Sequence, residues 1–187
     1  MTMNAAAGTP RLTPGIWKAD PNHSGVNFRI RHLGLSNVRG RFDRFDATLT
    51  VGSSMDEVTV TARIDMASVN TNQPDRDNHL RSTDFFSVEK RRDMTFQSKT
   101  VIERGHDQYE LIGELTINDI TREISLDVQF NGIEVFMQTR DKHAGFAATG
   151  EINRDDFGID FNMPLGAGKV ALSRTVAIEL DFQFIAP

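Results

Sequence analysis

The sequence predicts an all-β protein: an extended eight-stranded antiparallel β-barrel with one or two short helices closing an end. Three observations carry this. Apolar residues recur with period two along most of the chain. The alternating runs are joined by short turn-forming stretches such as "VGSSMD" and "ERGHDQ", as in antiparallel sheets with one buried and one wet face. The runs number about eight, which suits a closed up-and-down architecture.

In order, the predicted strands lie near 24–33, 36–51, 57–69, 94–103, 108–118, 120–135, 144–153 and 170–184. In the first, Val26, Phe28 and Ile30 alternate with Asn27, Arg29 and Arg31, and His32 continues the apolar series. The second carries Phe42, Phe45 and Leu49 and is long enough to need a bend at a bulge. In the third, Val58, Val60, Ala62, Ile64 and Met66 face away from Thr59, Thr61, Arg63 and Asp65. Met94 and Phe96 open the fourth, and Tyr109, Leu111, Gly113, Leu115 and Ile117 share a face of the fifth. Ile124, Leu126, Val128 and Phe130 mark the sixth, Phe146 the seventh, and Ile178, Leu180, Phe182 and Phe184 the last. Two segments read as short helices. One is 74–82, where Pro74 at a first helical position precedes acids in the first turn. The other is 154–158.

Such strands close either as a sandwich or as an up-and-down barrel. Their length favours the barrel. Residues 57–69 alone would span roughly 43 Å at about 3.3 Å per residue, or about 33 Å of height at the tilt of barrel strands. An eight-stranded barrel is either filled by side chains or holds one small ligand. Small residues on the inward faces (Gly40, Ala47, Ala62, Ser68, Ser98, Gly113, Ala148, Gly150) are consistent with a hollow interior. Glycines there also mark kinks and bulges, a role that alanine and serine do not share.

The net charge of -5 argues against a nucleic-acid-binding surface. With no cysteine, disulfides and thiolate chemistry are excluded. No apolar run reaches the length of a membrane span, so no stable membrane insertion is expected. The first residues, "MTMNAAAGTPRLTPG", lack the basic start and apolar run of a secretory signal. Residues 1–13 read as a disordered tail ahead of a domain at 14–187. The expected location is cytoplasmic, or periplasmic or secreted where a signal has been removed.

Catalytic signals are sparse. There is no G-x-S-x-G elbow, and His106 and His143 read as surface residues. Asp75, Asp77 and His79 have the look of metal ligands, yet residues i and i+2 diverge by about 200° on a helix, so no metal is expected. His23, three residues after Asp20 in "DPNH", reads as a turn histidine. His32 is either a satisfied core residue or a contact for a polar group at the barrel mouth. No enzyme is expected. The alternative is a barrel enzyme acting on a hydrophobic substrate with His32 or His79 as acid–base, which needs a second group within hydrogen-bond reach.

The stretch "DPNHSGVNFRIRHLGLSNVRGRFDRFDATL" resembles the opening block of the YceI-like polyisoprenoid-binding family, through Asp20, His23, Ser24, His32, Ser36, Gly40 and Phe42. "SVNTNQPDRDNHLRSTDFF", "MTFQS", "YELIGELTINDITREISLDVQFNG" and "GFAATGEINRDDFGI" are similar to the family's later blocks, in the same order. The resemblance covers about residues 16–184. It departs at "RRDMTF", where Arg92 and Asp93 replace a usual proline-bearing approach, and at "LTINDIT", where Asn118-Asp119 replace a glycine turn.

The resemblance implies a lipocalin-like barrel around a polyprenyl chain, as in a polyprenyl phosphate or an isoprenoid quinone, with the protein acting as carrier, buffer or store. No cofactor beyond that lipid is expected. The implied lining is Val26, Phe28, Ile30, His32, Phe42, Phe45 and Leu49, then Val60, Ala62, Ile64, Met94 and Phe96. It continues through Leu111, Gly113, Leu115, Leu126, Phe146 and Phe182. Leu80, Phe85 and Phe86 come from the connection at 70–86, which would fold over one end. Arg76, Asp77, His79 and Arg81 would clamp that lid, through Arg–Asp pairs to Asp77 or Asp84, or would meet a ligand phosphate. Arg154, with Asp156, would pin the second short helix. Exposed Phe136 and Met137 leave room for a homodimer.

Overall fold

A computed structural model describes residues 12–54 and 57–187. The expected tail, 1–13, lies outside the described residues except for Leu12 and Thr13. The strands are β1 (Gly15–Ala19), β2 (Gly25–His32), β3 (Ser36–Phe42), β4 (Phe45–Val51), β5 (Thr59–Asp65) and β6 (Val69–Asn70). After the helix α1 (Pro74–Arg81) come β7 (Asp93–Gly105), β8 (Gln108–Ile117), β9 (Ile120–Val135) and β10 (Lys142–Asn153). The short hairpin β11 (Pro164–Gly166) and β12 (Lys169–Val170) precedes β13 (Leu172–Ile185). Every strand is antiparallel to its neighbours, and the order β1-β4-β5-β7-β8-β9-β10-β13 closes when β13 returns to β1. This is an eight-strand barrel, as the alternation predicted.

Three consecutive staves of the barrel are broken. Along β13, Leu172–Asp181 pair with β2, while Phe184 and Ile185 pair with β1, so β1 and β2 are two halves of one stave. β3 and β4 form the next stave and β5 and β6 the third. The breaks are built by polar side chains. At the first, Asp20 accepts from Asn22 N and pairs with His23 at 2.7 Å, and Ser24 Oγ accepts from Gln183 N on β13. At the other two, Ser68 Oγ accepts from Arg44 N and donates to Asp65 O, and Asp65 caps a 3-10 turn over Met66–Ser68 by accepting from Ala67 N.

These breaks correct the strands expected at 36–51 and 57–69. The inward series slips by one residue at each break, from Phe42 to Phe45 and from Met66 to Val69, and apolar residues resume so soon on either side that each pair of half-strands reads as one long strand. β1 was not expected, since "GIWKA" is too short to show a period. It nevertheless buries Trp17 completely, with Nε1 donating to Thr13 O. The second expected helix is a four-residue 3-10 turn, Arg154–Phe157, so α1 is the single helix among the described residues. The "LTINDIT" departure resolves simply. Asn118 and Asp119 both have positive φ (53° and 63°) between the paired Ile117 and Ile120, the geometry of a tight hairpin that Asn and Asp tolerate. The "RRDMTF" approach is fixed by charge instead of proline: Arg92 donates to Asp65 and Arg63 to Asp93.

The inward faces form two buried groups. Phe42, Ile64, Met66, Phe96, Leu115 and Phe157 lie toward α1. Trp17, Leu49, Val51, Phe130, Ala144 and Phe184 lie toward the chain termini. We call these the α1 end and the terminus end.

Two outcomes test this frame. Burial raises the Asp65 carboxyl, but hydrogen bonds from Arg44, Arg92 and Ala67 N outweigh it, so its pKa lies below the ordinary carboxylate value. A carboxylate with a depressed folded-state pKa contributes fully above its unfolded value of about 3.9, and that contribution is lost as pH falls through the folded value. Asp65→Asn should therefore cost about 1–2 kcal/mol at neutral pH. Its deficit against wild type in urea denaturation should narrow below about pH 4. Separately, a Cβ on Gly113 would sit 2.5 Å from Phe96 Cζ and 2.6 Å from Gln97 O. Gly113→Ala should thus lose about 1–3 kcal/mol by overpacking, read from the same denaturation midpoint.

Candidate functional site

The barrel encloses a cavity of about 1360 Å³, above the roughly 300–1,000 Å³ typical of small-molecule pockets. It runs from Leu12–Pro14 and Val51–Ser54 at the terminus end to Leu80, Phe85 and Phe86 at the α1 end. The wall between is overwhelmingly aliphatic and aromatic. Most of its residues are aimed inward by the two-residue period of their strands.

The expected lining residues reach this space, with two exceptions. Phe45 packs its ring edge-on against Phe182, 5.6 Å between centroids, and does not line the cavity. Gly113 lies beneath the Phe96 ring. Gly113 belongs to a wider correction of the small-residue argument. Gly40 is likewise covered by the ring of Phe28, and Gly150 by Leu126. Ser68 and Ser98 hydrogen-bond to backbone, Ser98 Oγ accepting from Val60 N. Of the small inward residues, only Ala47, Ala62 and Ala148 face the space. The glycines let bulky cross-strand neighbours lie flat against the wall.

Sequence reasoning missed further lining residues of two kinds. Val38, Val101, Ile152 and Val176 extend the same alternation and were legible in principle. Ile159, Phe161, Met163 and Ala171 come from the irregular segment after the Arg154 turn. That segment has no period, and only the fold brings it over the α1 end.

At that end the connection 71–92 covers the side of the barrel where β6 pairs with β3 alone and no ladder joins it to β7. α1 starts as its sequence predicts: Gln73 caps it by accepting from Arg76 N, and Pro74 and two acids fill the first turn. The expected Arg–Asp clamps do not form. Buried Asp77 accepts instead from Thr71 N (2.8 Å) and Thr71 Oγ1 (2.5 Å). Arg76 donates to Thr71 O and Oγ1, and Arg81 to Ala67 O and Val69 O. The arginines seek carbonyls because β6, just two residues long, leaves the acceptors around it free. Asn118, in the β8–β9 turn, holds the lid from the other side through Phe85 O at 2.7 Å.

His79 pairs with Asp84 at 2.7 Å, both half-exposed, while its ring packs edge-on between Phe85 and Phe161. Asp75, Asp77 and His79 are engaged separately and do not converge. His32 lines the cavity at the α1 end, beside Leu172 on the adjoining β13. Arg154 is 3% exposed and donates to three carbonyls, those of Ser173, Ile159 and Phe161. Asp156 is not among its partners, whereas Arg174 pairs with Asp155 at 3.1 Å. Burial pushes the Arg154 pKa down, against the pull of Asp155 and Asp160. At the terminus end, burial together with Glu103 and Asp107 raises the Tyr109 phenol, which stays neutral.

Comparison with known proteins agrees with this geometry. The chain is 39% identical over 166 residues to a UPF0312 protein of Staphylococcus epidermidis, covering 88% of this chain and 94% of that one. Its fold matches that of the Campylobacter jejuni YCEI protein with a TM-score of 0.71 at 28% identity, over 84% of this chain and 90% of that one. It also matches a polyisoprenoid binding domain from Saccharophagus degradans implicated in plant cell wall breakdown, with a TM-score of 0.65 over 91% and 98% of the two chains. At 16% identity that likeness concerns the fold alone. The family model of the YceI-like domain matches residues 17–184, from the buried Trp17 to the Phe184 that closes the barrel. The chain belongs to the YceI-like domain family.

Proposed function

We propose that this protein binds a long-chain polyisoprenoid lipid inside its barrel, of the polyprenyl phosphate or isoprenoid quinone type, and serves as its carrier, buffer or store. The observation that carries this is the cavity itself: one continuous apolar space running the length of the barrel. Burying hydrocarbon there contributes about 0.8 kcal/mol per methylene, so a long chain binds tightly without a polar contact along its length. The polyisoprenoid-binding domain from Saccharophagus degradans shares the fold, which supports a ligand of the same class.

The site suits holding better than catalysis. General acid–base chemistry needs a positioned pair of groups at the reacting atom. His79 has Asp84 as partner, but that pair is half-exposed to solvent and its ring is wedged between two phenylalanines. His32 makes no side-chain hydrogen bond among the described residues. No helix among the described residues is long and apolar enough to cross a membrane. Phe136 and Met137 are exposed at the terminus end, where a second copy of the chain could meet them.

Lipid extracted from the purified protein and analysed by mass spectrometry should contain a long isoprenoid. Extracts holding only straight-chain fatty acids, or no lipid from several expression hosts, would count against the proposal. Ala62 offers a second test. It pairs with Ala47 on one side and Phe96 on the other and faces the cavity. Ala62→Phe should fill part of the lumen and weaken displacement of a fluorescent lipid probe at least about tenfold, since excluding two methylenes costs about 1.6 kcal/mol. The melting temperature should change little. Unchanged affinity in a folded variant would place the ligand elsewhere.

A further inference from the structure

We propose that the α1 end of the cavity is an anion site, that the lipid's head group there is a phosphate ester facing Arg154, and that its hydrocarbon runs toward Trp17. This rests on the lipid-binding reading above and adds a head-group class and a direction to it.

The carrying observation is a buried guanidinium that lines the cavity and has no carboxylate in direct contact among the described residues. Arg154 is almost fully enclosed yet has no carboxylate within ion-pair distance. Its Nε donates to Ser173 O at 2.9 Å, and its Nη1 to Ile159 O and Phe161 O, both at 2.8 Å. These acceptors are neutral. The nearest acid in sequence, Asp155, is taken by Arg174. Nη2 has no acceptor among the described residues, and Arg154 lines the cavity. An unpaired guanidinium out of water is costly. Pinning three carbonyls accounts for two of its nitrogens. It explains neither the third nor why a full charge is kept where a neutral donor would hold the same loop.

The surroundings agree. Phe161, whose carbonyl holds Arg154, sets its ring edge-on to His79 at 4.8 Å. Leu172, next to Ser173, pairs with His32. Arg76 ties Nε and Nη2 to Thr71, leaving Nη1 without a protein acceptor among the described residues. The polar lining at this end is therefore Thr71, His32, Arg76, His79 and Arg154, with no carboxylate among them. The terminus end presents hydroxyls of Thr13, Ser53, Ser54 and Tyr109, and the carboxylate of Glu103. At the first end Asp77 bonds Thr71 and Asp84 pairs with His79, so an anion's partner there is the cavity face of Arg154, whereas the second end presents the Glu103 carboxylate. Guanidinium forks match phosphate oxygens, and charge-assisted hydrogen bonds are roughly twice as strong as neutral ones. A neutral quinone ring would leave the Arg154 charge unmatched.

Trp17 is the chain's one tryptophan and lies at the terminus end, so it reports direction without any substitution. Delipidated wild-type protein is titrated with a polyprenyl phosphate carrying a nitroxide at the hydrocarbon terminus, then with one carrying it beside the phosphate. The first should quench Trp17 fluorescence strongly and the second weakly. In parallel, the phosphate should bind at least about tenfold more tightly than the polyprenol of equal length, and more tightly than a quinone with the same tail. In Arg154→Met that preference should collapse while polyprenol binding persists. Stronger quenching from the head-group label, or no preference for the phosphate, would overturn the head-group assignment and leave lipid binding standing. Failure of all three lipids to bind wild-type protein would overturn both. Should Arg154→Met not fold, the wild-type measurements still decide.

Discussion

The constraint on which the structure depends is the closure of the sheet along β13. A sheet with one apolar face must bury that face, normally under a layer of helices or a second sheet. The described residues hold one eight-residue α-helix, far too little to cover more than a hundred residues of strand. The sheet therefore curls over its own inner face, and the curl ends only when the last strand meets the first. β13 achieves this by pairing with both β2 and β1. Because those two are separate half-strands, the closing stave can turn sharply between them. The turn at Asp20–Ser24 is anchored by hydrogen bonds to Gln183 of β13 itself. The break and the closure are one device.

The same device explains why the barrel is hollow. Eight staves leave an interior that large side chains are able to fill, and this protein has thirteen phenylalanines with which to fill it. Yet several rings lie along the wall instead of pointing down the axis, because a glycine sits under them: Phe28 over Gly40 and Phe96 over Gly113. Bulges between Ser98 and Thr100 and between Gly145 and Phe146 bend the long staves, which tightens local curvature without sacrificing girth. The space that remains is bounded by side-chain faces and bottoms on alanines.

The two ends are closed by different chemistry. At the α1 end, Arg76, Arg81 and Arg154 all spend donors on backbone carbonyls that the broken sheet leaves without ladder partners. An arginine used this way brings a charge with it wherever it is placed. Edge closure by guanidinium groups thus brings fixed positive charge to one mouth, beside the acids Asp77 and Asp84, as a by-product of satisfying the backbone. The terminus end closes with paired strands, a buried indole, hydroxyls and the Glu103 carboxylate.

What the sequence determined by itself is periodic and local. Alternation at 94–103, 108–118, 120–135 and 170–184 gave strands that the structure reproduces with shifts at their ends, because side chains on a pleated strand point to opposite faces whatever surrounds them. Pro74 and the acids after it marked α1, since cap and dipole effects act within one turn. Most of the inward wall followed from the same period. Tertiary structure alone decided the rest: the breaks at Asp43 and Met66, the partners of Arg76, Arg81 and Arg154, and the placing of Ile159, Phe161, Met163 and Ala171 over one mouth. Each depends on which acceptors or surfaces come together from distant parts of the chain. A guanidinium pairs with whatever unsatisfied oxygen closure leaves within reach, and that oxygen has no address until the barrel has shut.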